Sequence, residues 1–336
     1  MKAGITYDSK SAYLKNGFTK EEAAEFDSEE TIEGIENTLQ NLGFTTERIG
    51  NIGELTIALA AGYRWDIVFN IAEGVYGTGR EAQVPALLDA YKIPYVFSDP
   101  LVLCLTLHKG MTKHVVRDCG IPTAPFKVVE NIADIKKINL TYPLFIKPVA
   151  EGTGKGISGK SLIKNAKELA QWTEVLLEQF KQPVLVEEYL PGREFTVGIV
   201  GTGEQAKAVG LMEVHIIDKS EDAIYSLFNK ENYETRVEYS VPEKAVAKLC
   251  YKVALDAWRA LGCKDGGRVD LRMDKNGIPN FIEVNPLAGL NPLHSDLPIL
   301  AYKAGMTYLD LMGKIMESAT QRLNIQMPKL CHQKLR

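Results

Sequence analysis

Residues 266–291, GGRVDLRMDKNGIPNFIEVNPLAGLN, restrict the fold more than any other segment of the 336-residue chain. Val269, Leu271 and Met273 alternate with Arg268, Asp270 and Arg272, the period of a half-buried strand. Asn276-Gly277 then signals a hairpin, because a type I′ turn needs positive φ at both central residues. With those two at the tip, Asp270 is expected to face Glu283, Arg268 to face Asn285 and Arg272 to face Phe281. Two carboxylates opposed across a ribbon, Cβ atoms about 5 Å apart, repel and weaken the pairing. A bound cation removes that penalty, and oxygen donors without Cys or His beside them suit Mg²⁺ or Mn²⁺ rather than zinc. A solvated charged hairpin explains an Asp/Glu pair alone. Asn285 as a third oxygen donor, with Arg268 alongside, favours a cation site.

The chain before this ribbon alternates short apolar strands with helices. Strands are expected over 3–7, 44–49, 66–71 and 94–97. Helices are expected after an N-cap at Asp27 or Ser28 (ending at Gly43), over 54–62 and over 82–90. Such alternation implies a parallel sheet with ligands at the carboxyl ends of its strands. That puts residues 7–11 and the loop with Glu73, Arg80 and Glu81 on a ligand-facing rim, although solvated loop charges explain those three equally well. Beyond Asp99-Pro100 a helix is expected over 106–119, a strand over 124–129 and a short helix over 133–137. The apolar run 144–146 leads into Lys147 and the loop AEGTGKGIS (150–158). Small residues there let backbone N–H groups approach an anion, and the lysine adds charge. The loop matches neither G-x-G-x-x-G nor G-x-x-x-x-G-K-[ST]. A helix over 166–180 and strands over 183–189 and 194–200 follow, then a long loop over 215–240, the length of a functional lid. Helices over 243–261, 297–305 and 308–320 and a weakly ordered tail complete the chain.

The net charge of −4 offers no general basic surface, so neither nucleic acid nor an anionic membrane is expected as partner. The longest clean apolar run, residues 101–105, is far short of the ~20 residues of a spanning helix. Five scattered cysteines without a C-x-x-C pair suit reduced thiols, and a cytoplasmic protein is expected.

Five blocks in order, DIVFNIAEG…Q (66–83), the helix with Lys109, FIKPVAEGTGKGIS (145–158), VLVEEYLPGREFTVGI (184–199) and RVDLRMDKNGIPNFIEVNPLAGL (268–290), carry a resemblance. Over roughly residues 66–320 the sequence resembles the ATP-grasp superfamily and, within it, the D-alanine–D-alanine ligases. The resemblance implies an α/β fold (α+β in parts). An N-terminal Rossmann-like preATP-grasp domain would span 1–98, a small central subdomain 99–187 and a C-terminal ATP-grasp domain 188–336. It implies ATP and two Mg²⁺ (or Mn²⁺) ions. Lys109 and Lys147 would neutralise the α- and β-phosphates under the Glu151–Gly156 loop, whose Gly152, Thr153 and Gly154 approach the nucleotide. Glu187 would accept from the adenine amino group, with Glu188, Tyr189, Leu190 and Ile282 around the ring and Glu194 on the ribose. Asp270, Glu283 and Asn285 would hold the metals. Arg268 and the Gly289 backbone would stabilise an oxyanion, and Lys230 would reach the γ-phosphate from the 215–240 lid. An acid would be activated as an acyl phosphate and captured by an amine, with a homodimer implied by analogy.

The departures concern the acid. The family's Gly-Gly, Ser, Glu opening, whose glutamate holds an ammonium group, is replaced here by ITYDSKSAYLKNGFTKEEAAEFDSEE, where Glu25, Asp27 or Ser28 could stand in. Glu73 occupies the place of a family histidine, and Arg80 lies on the same rim. The phosphate-loop serine is Thr153. A Ser-Pro-Gly-Met-Thr-Ser-His-Ser run becomes PLAGLNPLHS, in which His294 and Ser295 match the end that contacts the second substrate. An ATP-dependent carboxylate–amine ligase with a rebuilt acid pocket is therefore expected. A D-alanine–D-alanine ligase with a diverged N-terminus and a catalytically silent nucleotide-binding module are the alternatives.

Overall fold

The computed structural model describes residues 1–216 and 237–328. Its first sheet is parallel, with β1 (Lys2–Thr6) between β2 (Thr45–Gly50) and β3 (Ile67–Asn70). Between β1 and β2, α1 (Lys10–Lys15) and α2 (Glu29–Asn41) form. Ser28 caps α2 by accepting from the Thr31 N–H, and Gly43 at φ +91° ends the chain's helical course. Helices α3 (Ile52–Ala60) and α4 (Gln83–Ala90) flank β3. The expected strand over 94–97 is reduced to one bridge beside Val68. Phe97 adopts φ +76° and donates its N–H to the Asp265 carboxylate, which turns the backbone out of the sheet.

The helix expected over 106–119 is two helices, α5 (Pro100–Leu107) and α6 (Lys109–Asp118). Asp99 caps α5, Pro100 occupies its first turn, and His108 interrupts the course with ψ 88°. The His108 Nδ1 accepts from the Met111 N–H, so the break is itself capped. The second sheet is antiparallel, ordered β4 (Phe126–Val129), β7 (Val184–Glu188), β5 (Leu144–Pro148), β6 (Leu162–Ile163), and α7 (Ala166–Phe180) covers one face. Ile146, Leu169, Leu176 and Val186 fill its core. The backbone N–H of Lys109, at the start of α6, donates to Val149 just past β5.

The third sheet, also antiparallel, is ordered β10 (Val237–Ser240), β9 (Lys207–Ile216), β8 (Glu194–Val200), β11 (Gly266–Met273), β12 (Pro279–Asn285). Of the long loop expected over 215–240, residues 215–216 and 237–240 belong to strands, and 217–236 lie outside the described residues. β9 itself carries no alternation to read, because the consecutive residues Leu211, Met212, Glu213 and Val214 are all buried, so both faces of the strand are covered. The Lys244–Ala260 helix packs on this sheet through Val253, Ala257 and Trp258. The Asp296–Lys303 and Tyr308–Arg322 helices follow. The second of these closes the first sheet, since Ile5 and Phe69 share a core with Leu311, Met312, Ile315 and Met316. Among the described residues no helix is long and apolar enough to cross a membrane.

Candidate active site

On the β11–β12 ribbon Asp270 faces Glu283 and Arg268 faces Asn285. The turn differs from expectation. It is a five-residue loop in which the Asp274 carboxylate accepts from the N–H groups of Asn276 (2.8 Å) and Ile278 (3.0 Å). Gly277 has φ +77° while Asn276 does not turn left-handed, so the tip is not type I′. An extra residue on β12, Ile282, compensates by a bulge between the Asp270 and Leu271 pairs. Arg272 therefore pairs with Asn280, not Phe281.

The two opposed carboxylates are each held by cations. Glu283 lies 3.2 Å from the Lys147 ammonium and 3.7 Å from that of Lys109. Asp270 is paired with Arg268 and accepts from the Thr196 hydroxyl (2.9 Å) and the Asn285 amide (3.4 Å). Burial lowers the pKa of Lys109 despite Glu283. For Lys147 the carboxylates of Glu283 and Glu187 outweigh burial and raise it. Two carboxylates and one amide form a hard oxygen set, and no larger His/Cys/Asp/Glu cluster exists among the described residues. Such a set fits Mg²⁺ or Mn²⁺ completed by a ligand's own oxygens.

Two cavities meet at Glu283. The first lies between the second and third sheets and has apolar walls from Phe145, Ile157, Leu190 and Ile282. Glu187, Glu188, Tyr189 and Glu194 supply its polar side. Burial pushes the Glu187 carboxyl up, but the ammoniums of Lys113 (2.5 Å) and Lys147 (3.9 Å) outweigh it and hold the pKa low. Glu194 pairs with Arg272 at 3.1 Å, and that guanidinium lies over the Tyr189 ring. A flat aromatic ring bearing a hydroxylated group suits such a lining.

The second cavity, about 110 Å³, is lined by residues from all parts of the chain, including Glu25, Glu73, Glu81, Lys109, the Glu151–Thr153 loop, Arg268 and Gly289. Glu25 is engaged there by three donors. It accepts from the Gly152 N–H (2.7 Å) and from Arg80 (3.1 Å), and Lys155 lies 3.3 Å away. A Cβ on Gly152 would come within 2.4 Å of that carboxylate, so a larger residue here would push the Glu25 side chain aside. Arg80 also donates to the Ala150 carbonyl (2.9 Å), and Lys109 donates to that of Glu151. Thr153 holds φ +50° beside Gly154 at +79°, and its buried hydroxyl has no partner.

Four expected substrate residues line neither cavity, and Arg80, turned to Glu25 and the Ala150 carbonyl, is one of them. Ser28 is occupied as the α2 cap. Ser295 accepts from the Asn291 N–H (2.9 Å) and packs against Gly289, and the His294 N–H donates to Asn291 Oδ1. Lys230 lies outside the described residues. Reading the sequence missed Lys113, Thr196 and Arg272. Strand alternation alone puts Arg272 on the Asp270 face, whereas Lys113 meets Glu187 across 74 residues with no local signal.

Residues 115–317 match the family model described as D-ala D-ala ligase C-terminus. The D-alanine–D-alanine ligase of Bordetella petrii is 31% identical over 297 residues, 87% of this chain and 87% of its own. An uncharacterized protein of Sinorhizobium fredii, y4sG, is 31% identical over 259 residues, 76% of this chain and 75% of its own. Among solved structures, the D-alanine–D-alanine ligase of Bacillus anthracis complexed with ATP aligns with TM-score 0.72 and 23% identity, over 96% of this chain and 99% of that one. The VanG D-Ala:D-Ser ligase of Enterococcus faecalis gives 0.71 and 20%, over 95% and 99%. These likenesses show the fold, that of the ATP-grasp ligases.

Proposed function

Since the chain belongs to the D-alanine–D-alanine ligase family, ATP-dependent ligases that form C–N bonds, we propose that it joins a small amino acid-like acid to an amine through an acyl phosphate. The observation that carries this is the Asp270–Glu283 pair, clasped by Lys147 and Lys109 where two cavities meet.

The first cavity would take ATP, with Glu187, Glu188, Tyr189, Leu190 and Ile282 around adenine and Glu194 at the ribose. Lys109 and Lys147 would turn from Glu283 to the phosphates, and the Gly152, Thr153 and Gly154 backbone would cover them. Asp270, Glu283 and Asn285 would hold two Mg²⁺ ions, which when bound neutralise charge on the phosphoryl oxygens. The acid would lie in the second cavity, so that its carboxylate attacks the γ-phosphorus and ADP leaves. Amine attack on the acyl carbon then expels phosphate and leaves the amide. Arg268 and the Gly289 N–H would stabilise the oxyanion of that second step. No side chain acts as a covalent nucleophile.

The acid differs from the D-alanine named for the relatives, because the N-terminal segment departs from the family pattern and Glu25 is already bonded to the glycine-rich loop. A mass-spectrometric screen of mixed D- and L-amino acids with ATP and Mg²⁺ tests both statements. An amide product other than D-alanyl-D-alanine is expected. D-alanyl-D-alanine at ordinary turnover would restore the family substrate. Absence of substrate-stimulated phosphate release across the panel would favour a silent nucleotide-binding module.

A further inference from the structure

We propose, on the premise of the ATP-dependent ligase reading above, that Lys113 positions Glu187 and thereby makes the first cavity choose a 6-aminopurine nucleotide over a 6-oxopurine one. Glu187 stands on the second sheet, in register between Phe126 of β4 and Phe145 of β5. One of its carboxylate oxygens is 2.5 Å from the Lys113 ammonium, and the other is 3.9 Å from that of Lys147. The two cations have different duties. Lys147 also lies 3.2 Å from Glu283 and lines the cavity, so it can turn to a phosphate. Lys113 is fully buried and lines neither cavity, so any effect it has on a nucleotide passes through Glu187.

Helical spacing explains the arrangement. Lys113 follows Lys109 by four residues in α6, which puts both on one face, about 6 Å apart along the axis. One helix face thus serves the phosphate end of the cleft through Lys109 and the base end through Lys113. The Lys113 ammonium also sits over the Phe126 ring, 5.4 Å from its centroid. Burial, and to a smaller extent Glu283, push the Glu187 pKa up, and Lys113 followed by Lys147 outweigh them. The resulting carboxylate can only accept hydrogen bonds. Adenine offers an amino donor at position 6, whereas guanine and hypoxanthine offer a carbonyl acceptor there. Set against Glu187, that carbonyl leaves two buried acceptors facing each other. Without Lys113 the buried carboxyl would take a proton, and its O–H could then donate to the 6-oxo group.

Calorimetric titration of the full chain with the Mg²⁺ complexes of ADP and IDP, whose bases differ at the 6-position edge, tests this without any acid or amine. Wild type should bind ADP about 100-fold or more tighter than IDP. Lys113→Met keeps most of the volume, removes the charge and should narrow that ratio below about tenfold. A lysine that only supports the fold would, on removal, weaken both nucleotides alike and leave the ratio unchanged. The Lys113→Met/Glu187→Gln double variant leaves no lone buried charge, should narrow the ratio as well, and decides the matter if the single variant does not fold. Equal binding of ADP and IDP by wild type, or the full ratio in either variant, overturns the role of Lys113 and leaves the ligase reading standing. Binding of neither nucleotide by wild type would overturn both.

Discussion

Glu283 is the residue on which both cavities depend, and its chemistry separates charge from shape. Glu283→Gln keeps the volume and removes one anion from the cradle facing Asp270. Turnover, measured as phosphate release at saturating ATP and Mg²⁺, should fall about 100-fold or more while the circular dichroism spectrum is unchanged. Near-normal turnover would show that this side chain holds no metal. Asp27 offers a second test at this scale. Burial, and then the nearby Asp8, raise its pKa to about 8. A group raised in the folded state stabilises the fold fully below its unfolded pKa of about 3.9, and that stability is lost as pH rises through 8. Asp27→Asn should therefore gain on wild type as pH increases, with a difference in Tm at least about 2 °C larger at pH 9 than at pH 5. A constant difference would mean that Asp27 titrates normally. The Asp270–Glu283 opposition was legible in the sequence because strand period is local. The commitment of Glu25 to Gly152, 127 residues away, was not, since nothing near either residue encodes it.

Elements were legible wherever local chemistry decided them. The helix over 166–180 is found with those bounds, capped by Asn165, and α2 starts at its expected Ser28 cap. Where tertiary contacts decide, the pattern failed. β9 is buried on both sides, and the segment at 94–97 gives up its ladder bonds to reach Asp265. The ribbon shows both cases, because its site register agrees with the simple count while its tip does not. Ile282 bulges between the turn and the carboxylate pair, so changes at the tip need not reach the site. Asp274→Ala removes the acceptor for two backbone N–H groups and should cost about 1–2 kcal/mol in urea unfolding. Phosphate-release kcat should stay within about twofold, because the bulge absorbs the change. A much larger loss would mean that the turn, rather than the bulge, sets the register at Asp270.

Across the whole molecule, we propose units over 1–98, 99–187 and 188–336, with the nucleotide between the second and third. The first of these does not close its own core. The Tyr308–Arg322 helix supplies Leu311, Met312, Ile315 and Met316 to the sheet that holds Ile5 and Phe69, a completion that no sequence boundary announces. The junction is pinned by Asp265, fully buried at the start of the ribbon. Its carboxylate accepts from the Phe97 N–H (2.8 Å), from the Ser318 hydroxyl (2.9 Å) and from Arg322 (2.6 Å). Arg322 in turn donates to the Tyr95 carbonyl at 3.0 Å. Asp265→Ala would leave a guanidinium and a backbone N–H without their acceptor, at a cost of about 3–5 kcal/mol for breaking a buried pair. Because the shared core couples the ends of the chain, thermal unfolding of the variant should remain one transition at lower Tm. Separation into two transitions, the first sheet melting on its own, would show that residues 1–98 carry an independent core and that the helix merely rests on it.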